Sequence, residues 1–301
     1  MPTPPPALAS LPIDVRGKVS AAVAVSPPAS LLIRLASAVV LLAITIGAVL
    51  GGVVSFALLL SAFAIAAAAE FFSVTVALGR AAPRWVLYPL TLVLLLRFQL
   101  PREAVTAGLT LAIVLGLSGF LWQRQPAEAM TRWALALGGS LWIGWCLGFY
   151  LAIFVVRQPD PNHIGFAALV ALAGSAMVGD TTALVVGGRL GRRPFFPAIS
   201  PKKTIEGAIA GFIAQTLFVA VFGLLADIPL IPGLFLGALV AIASQAGDLI
   251  ESQLKRSAGL KDASALIPGH GGFLDRLDSL ILPPATAYYF FTLVLHLKLP
   301  Q

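Results

Sequence analysis

Between Leu31 and Leu297 the sequence passes through one nearly charge-free apolar stretch after another, separated by short polar breaks. The hydrocarbon core of a bilayer takes about 20 largely apolar residues of helix to cross. Every backbone polar group in lipid must be satisfied within the chain, so stretches of this kind fold as helices. Nine candidates follow: Leu31–Leu50, Gly52–Ser73, Trp85–Leu100, Ala104–Trp122, Trp133–Val156, Ile164–Val186, Gly207–Ala226, Ile228–Ile250 and Leu280–Leu297. The expected fold is all-α, a polytopic integral membrane protein of about nine transmembrane helices. The first two runs are parted only by Gly51-Gly52, and the third holds Arg97, which must snorkel or find a partner. Of the 301 residues 58% are hydrophobic and 11% charged, whereas a soluble domain carries roughly 25% charged. That excludes a soluble enzyme and a nucleic-acid-binding protein, although the net charge is +7. Glycine and proline, 28 and 22 in number, are tolerated in membrane helices packed on neighbours. Cys146 is the sole cysteine, so neither an intrachain disulfide nor a Cys/His zinc cluster is available.

Three zones are expected: a Pro-rich cytoplasmic tail over 1–30, N-terminal transmembrane helices over 31–178, and a catalytic membrane region over 179–301. The tail lacks the charged start, compact apolar core and cleavage site of a signal peptide. Nine spans sort the basic residues sharply. Arg97, Arg102, Arg157 and Lys298 fall on one side, and the other 16 of the 20 fall on the side of the tail. Positive-inside bias then puts the tail in the cytoplasm, with the two longest polar stretches, Arg189–Glu206 and Glu251–Asp278. Long loops of this kind carry function more often than not.

Asp180, Asp248, Glu251 and Glu70 lie inside or at the ends of apolar runs, where an ionised carboxylate must face a cavity, a cation or another segment. Glu70 and Asp180 read equally well as interfacial residues. Asp248 differs, because ~3.6 residues per turn put Asp248, Ser252 and Lys255 on one helix face. An intrahelical Asp248–Lys255 pair would account for that face, but the following stretch repeats its chemistry. Its tract Pro268-Gly269-His270-Gly271-Gly272 cannot be regular helix, and the glycines permit positive φ and close backbone approach to a ligand. Asp275 and Asp278, spaced i, i+3, can present two oxygen ligands on one helical face. Hard carboxylates without a Cys/His cluster suit Mg²⁺ rather than zinc. Lys255, Arg256, Lys261 and Arg276 around them look like partners for a polyphosphate; taken singly, each is explained by positive-inside charge. In the other stretch Ser200-Pro201, with Glu206 in the first turn, reads as a helix start. A helix N-terminus beside Lys202 and Lys203 favours an anion, although the Walker spacing is absent. His163 and His296 sit at span ends, which leaves His270 as the histidine in a functional setting. Gly207-x-x-x-Gly211 and Gly233-x-x-x-Gly237 read as helix-packing patterns, the ground on which a homodimer is expected.

Ser252–Asp278 resembles the signature of the CDP-diacylglycerol synthases, or phosphatidate cytidylyltransferases. That signature is S-x-x-K-R-x4-K-D followed by P-x-H-G-G-x-x-D-R-x-D, and every fixed position is met. Gly247-Asp248 fits the family too, as do Asp180 with Gly188-Arg189 and Ser200-Pro201-x-Lys203-Thr204-x-Glu206-Gly207; Leu184 departs from it where many members look aromatic. The specific part covers Gly179–Asp278. The resemblance implies transfer from CTP to phosphatidate, giving CDP-diacylglycerol and pyrophosphate at the bacterial inner membrane, with Mg²⁺ and a second cation such as K⁺. CTP, phosphatidate and membrane lipid are the partners it implies, with no nucleic acid. It assigns Asp248, Lys255, Asp275 and Asp278 to catalysis, the three aspartates as metal ligands. Lys255, Arg256, Lys261 and Arg276 would hold phosphates, with Ser252, His270, Gly271 and Gly272 nearby. Ser200, Lys202, Lys203 and Thr204 would border the lipid head group or the nucleotide. A phosphate monoester has a second pKa near 6, so this nucleophile needs no general base. The rival readings are a related CTP-dependent lipid enzyme (an archaeol-type cytidylyltransferase or polyprenol kinase) and a transporter.

Overall fold

The computed structural model describes residues 31–119, 126–155, 164–264, 266, 271–297 and 299–300; the tail, His163 and Pro268-Gly269-His270 lie outside them. Regular structure among the described residues is helical, with no strand. The helices are α1 (Leu31–Leu50), α2 (Val53–Ala77), α3 (Arg84–Leu95), α4 (Arg102–Ser118), α5 (Pro126–Ser140), α6 (Cys146–Val155), α7 (Ile164–Leu190), α8 (Ile205–Leu224), α9 (Leu230–Ser257), α10 (Leu274–Ile281) and α11 (Pro283–Leu293). A π-helical turn, Leu141–Trp145, joins α5 to α6. Five helical stretches among the described residues are long and apolar enough to cross a membrane: Val53–Ala77, Glu128–Val155, Gly165–Leu190, Ile205–Leu224 and Leu230–Ser257. The chain is an integral membrane protein.

The breaks follow local chemistry. Gly52, at φ 96°, turns the chain between α1 and α2, a backbone angle that glycine adopts without the Cβ penalty. The last apolar run, Leu280–Leu297, is divided rather than continuous: α10 ends at Ile281 and the Pro283-Pro284 pair opens an 11-residue helix. Proline has no N–H to continue a helix, but is accepted in its first turn.

The chain forms two compact units, Met1–Trp145 with Leu254–Leu277, and Cys146–Gln253 with Asp278–Gln301. In the first, Leu87, Leu94 and Leu95 of α3 and Ile143 of the π-turn are fully buried. A polar clasp crosses this apolar layer: Thr91 Oγ1 meets Ser140 Oγ at 3.3 Å, and Ser140 Oγ donates to the Leu87 carbonyl. Gly144 lets the π-turn lie directly on the Thr91 backbone, where a Cβ would collide. Arg97 finds its partners here, donating to the carbonyls of Leu94 and Trp145 at 2.8 Å and lying over the rings of Phe98 and Trp145.

In the second unit α7 and α8 pack at backbone distance. A Cβ on Gly207 would stand 2.7 Å from the Ala183 carbonyl, and one on Gly211 2.9 Å from that of Gly179. Gly233 and Gly237 of α9 close on Ala220 and Thr216 of α8 in the same manner. Both small-residue faces expected from the sequence are therefore used within one chain. Across α6 and α11 the Phe149 and Tyr288 rings lie 4.8 Å apart, and the Tyr150 hydroxyl donates to the Leu280 carbonyl.

Candidate active site

A cavity of about 490 Å³ opens in the second unit, walled by α7, α8, α9 and the loop between α7 and α8. Asp180, Lys202, Lys203 and Asp248 line it, with Ser200 and Thr204. The loop is held by backbone bonds at its base. Phe195 N–H donates to the Lys203 carbonyl at 2.8 Å and Ile205 N–H to that of Arg193 at 2.9 Å, pairing Pro194 with Thr204. The Glu206 carboxylate accepts the Arg192 and Arg193 amides. The helix start read from Ser200-Pro201 lies further on. Ser200–Lys203 forms a turn closed by Lys203 N–H on the Ser200 carbonyl, and Thr204 caps α8 by accepting from Gly207 N–H. Glu206 does occupy the first helical turn.

Lys203 is carried from this loop to Asp248: its Nζ donates to Oδ2, while Ser252 Oγ approaches Oδ1 at 3.4 Å. Asp278 belongs to the same neighbourhood, because Gly247 has no Cβ to hold α9 off the Asp278 carbonyl. Burial pushes the Asp278 carboxyl up to about 7, aided by the charges of Asp248 and Asp180 and opposed by the Ser279 N–H and O–H that donate to it. Asp278, Asp248 and Asp180 thus bring hard oxygen donors together, with Lys203 on Asp248. That donor chemistry fits Mg²⁺. Among the described residues no three His, Cys, Asp or Glu side chains stand close enough to form a ready metal cluster; the Lys203 ammonium occupies part of the Asp248 carboxylate instead.

The first unit carries the rest of the second polar stretch. The C-terminal end of α9 closes through Gly259, at φ 70°, with Leu260 N–H on the Lys255 carbonyl and Gly259 N–H on that of Arg256. This is a Schellman ending, and its apolar residue Leu260 packs with Leu254, Val74 and Ala77. Lys255 Nζ is 2.6 Å from Asp275 Oδ1, both side chains nearly buried, at 11% and 8% exposure. The same carboxylate accepts Gly272 N–H at 2.8 Å and Ala263 N–H at 3.1 Å. Gly271 has the positive φ, 81°, that the glycine tract suggested.

The predicted residues are thus joined across the sequence. Asp248 takes Lys203 rather than the Lys255 of its own helix, and Lys255 takes Asp275. Lys202, Arg256, Lys261 and Arg276 are exposed and Ser252 half-buried. Of the two readings open for Glu70, an interfacial residue or a carboxylate facing another segment, the structure has the second: it is 2% exposed and bonded to Ser264, Phe273 and Leu274. The one signal for it was an acid within an apolar run.

The sequence profile of the Cytidylyltransferase family matches residues 32–294. The phosphatidate cytidylyltransferase of Bacillus subtilis (strain 168) is 34% identical over 157 residues, 51% of this chain and 56% of that protein. The phosphatidate cytidylyltransferase of Synechocystis is 42% identical over 140 residues, 45% of this chain and 47% of its own. That of Aquifex aeolicus is 34% identical over 160 residues, covering 53% and 60%. The matched part spans about half the length of these relatives.

Proposed function

The chain belongs to the cytidylyltransferase family, and from that premise we propose that it converts CTP and phosphatidate to CDP-diacylglycerol and pyrophosphate. A phosphate oxygen of phosphatidate attacks the α-phosphorus of CTP. The new O–P bond forms as the bridge between the α- and β-phosphates breaks, and pyrophosphate leaves. The nucleophile is already ionised near neutral pH, so the protein's task is to position the phosphates in line and offset their charge. The observation that carries this reading is the lysine–aspartate pairing: Lys203 on Asp248 in a cavity with an apolar wall, and Lys255 on Asp275. Lysines so placed can exchange a carboxylate for a phosphate as substrate enters.

Asp248, Asp275 and Asp278 are the proposed ligands of Mg²⁺, with K⁺ as a candidate second cation. Bound there, the metal would neutralise the triphosphate and its leaving group. Arg256, Lys261 and Arg276, with Ser252, His270, Gly271 and Gly272, would border the phosphates. Ser200, Lys202, Lys203 and Thr204 would border the lipid head group or the nucleotide. The proposed topology has nine spans, with the tail and both polar stretches on the cytoplasmic side of the inner membrane. Its support is the sorting of basic residues. A homodimer remains a proposal without the small-residue faces as its ground, since those faces pack inside the chain.

The deciding experiment is the purified full chain in mixed micelles with CTP, Mg²⁺ and phosphatidate, products identified by mass. Pyrophosphate and a CDP-lipid, both requiring phosphatidate, are expected. CDP with a phosphorylated lipid would make the protein a lipid kinase, and no product at all would point to a transporter.

A further inference from the structure

Glu70 stands in the interior of α2, in the stretch Val53–Ala77, and is 2% exposed. A carboxylate in such a place is costly unless it is fully hydrogen-bonded. Its bonds go to a segment roughly two hundred residues away. Ser264 Oγ donates to Oε1 at 2.6 Å, Phe273 N–H to Oε1 at 2.9 Å, and Leu274 N–H to Oε2 at 2.7 Å. Phe273 and Leu274 are the last residue before α10 and the first within it. Their amides belong to the group that a helix start leaves without intrahelical acceptors, and a negative charge is favoured there.

Two further features show that the seat is built for this segment. Gly272 lies against the Glu70 carboxylate so closely that a Cβ would collide with it. Two helical turns back on α2, the Phe63 ring meets Phe273 at 5.3 Å between centroids. Thus α2 offers an aromatic contact and an anion to one short stretch, Gly272–Leu274. Asp275 is the next residue, and its carboxylate turns back to Gly272 N–H, Ala263 N–H and Lys255 Nζ.

We propose that Glu70 is a positioning residue for the reaction: it clamps Gly272–Leu274 so that Asp275 keeps its fixed place beside Lys255. This rests on the function proposed above. The clamp acts on geometry, so its loss should lower turnover more than substrate affinity, since a misplaced group costs rate through orientation.

The test uses the full chain in lipid nanodiscs with Glu70→Gln, which preserves size but turns an amide N–H₂ toward one of its donors. Two measurements are made: hydrogen exchange of peptides covering Gly271–Leu277, and CDP-lipid formation with phosphatidate and CTP each varied. Exchange across Gly271–Leu277 should quicken while α8 peptides stay unchanged. The kcat should drop by roughly tenfold or more with both KM values within about twofold. Ser264→Ala removes one donor only and should give a smaller change of the same kind; the double variant should be no worse than Glu70→Gln alone. Should Glu70→Gln fail to insert, Ser264→Ala carries the same pair of readouts. Unchanged exchange with wild-type kcat would overturn the proposal. So would a rate loss that merely tracks the folded fraction, which would make Glu70 a folding residue. A wild-type chain that forms no CDP-lipid would refute the proposed reaction, while the exchange measurement would still judge the clamp.

Discussion

Replacing Lys255 with methionine should cost the protein a large share of its stability, and a second substitution should return most of it. The ammonium lies 2.6 Å from Asp275 Oδ1, with the two side chains 11% and 8% exposed. Removing one partner of a buried pair strands the other charge, at a typical cost of about 3–5 kcal/mol. Asp275 would keep the Gly272 and Ala263 amides, so the lower end, about 3 kcal/mol, applies to Lys255→Met. Asp275→Asn takes the carboxylate charge from the lysine instead and should cost a similar amount. In Lys255→Met with Asp275→Asn neither charge remains, and about 2 kcal/mol should be recovered as coupling between contacting residues. Membrane proteins in detergent commonly unfold irreversibly, so the quantity to follow is a rate. If the pair breaks before the unfolding transition state, 3 kcal/mol accelerates unfolding roughly a hundredfold. The assay is the half-life of the monodisperse peak on size-exclusion chromatography at a fixed temperature, for wild type, both single variants and the double. Single-variant half-lives within about threefold of wild type would refute the reasoning, as would a double variant worse than either single.

Lys203→Ala should leave insertion intact and lower turnover by roughly tenfold or more, the loss of one charge-assisted phosphate contact; a wild-type rate in the micelle assay would reassign this lysine to topology. Asp248→Asn and Asp275→Asn should each abolish measurable turnover at ordinary Mg²⁺, and their combination should be hardly worse, because groups acting as one unit are not additive. A near-normal rate and Mg²⁺ dependence in Asp275→Asn would reduce it to a salt-bridge residue. Cysteines introduced near Leu11 and at Leu299, with Cys146 changed to serine, should label from opposite faces of sealed vesicles; labelling from one face would end the nine-span topology.

How far the sequence could be read depended on the range of each interaction. Helices are local, so the run Leu31–Leu50 coincides with α1, and the glycine pair after it marks the turn. Mean hydropathy gives the last run as one stretch and carries no account of what Pro283-Pro284 does to the backbone. Helical spacing puts Asp248 and Lys255 on one face, but it sees only partners on the same helix. It could suggest their mutual pairing and had no access to Lys203 or Asp275. Glu70 shows the same limit more strongly. An acid in an apolar run announces that it needs a partner, but nothing local says that the partners are the amides of Phe273 and Leu274.

The backbone pairing of Pro194 with Thr204 also makes the α7–α8 loop a natural place for a reporter. The bonds from Phe195 to Lys203 and from Ile205 to Arg193 close the loop at its base, and Pro197 and Ala198 at its far end are exposed. Lys203 takes its register from that base and from the Ser200 carbonyl that accepts its N–H. Exposed tips tolerate inserted residues, and each doubling of a loop's length costs only about 0.6 kcal/mol. A short tag or fluorophore-bearing segment grafted between Pro197 and Ala198 would therefore ride beside the cavity and leave Lys203 against Asp248, giving an optical readout of substrate arrival that needs no turnover.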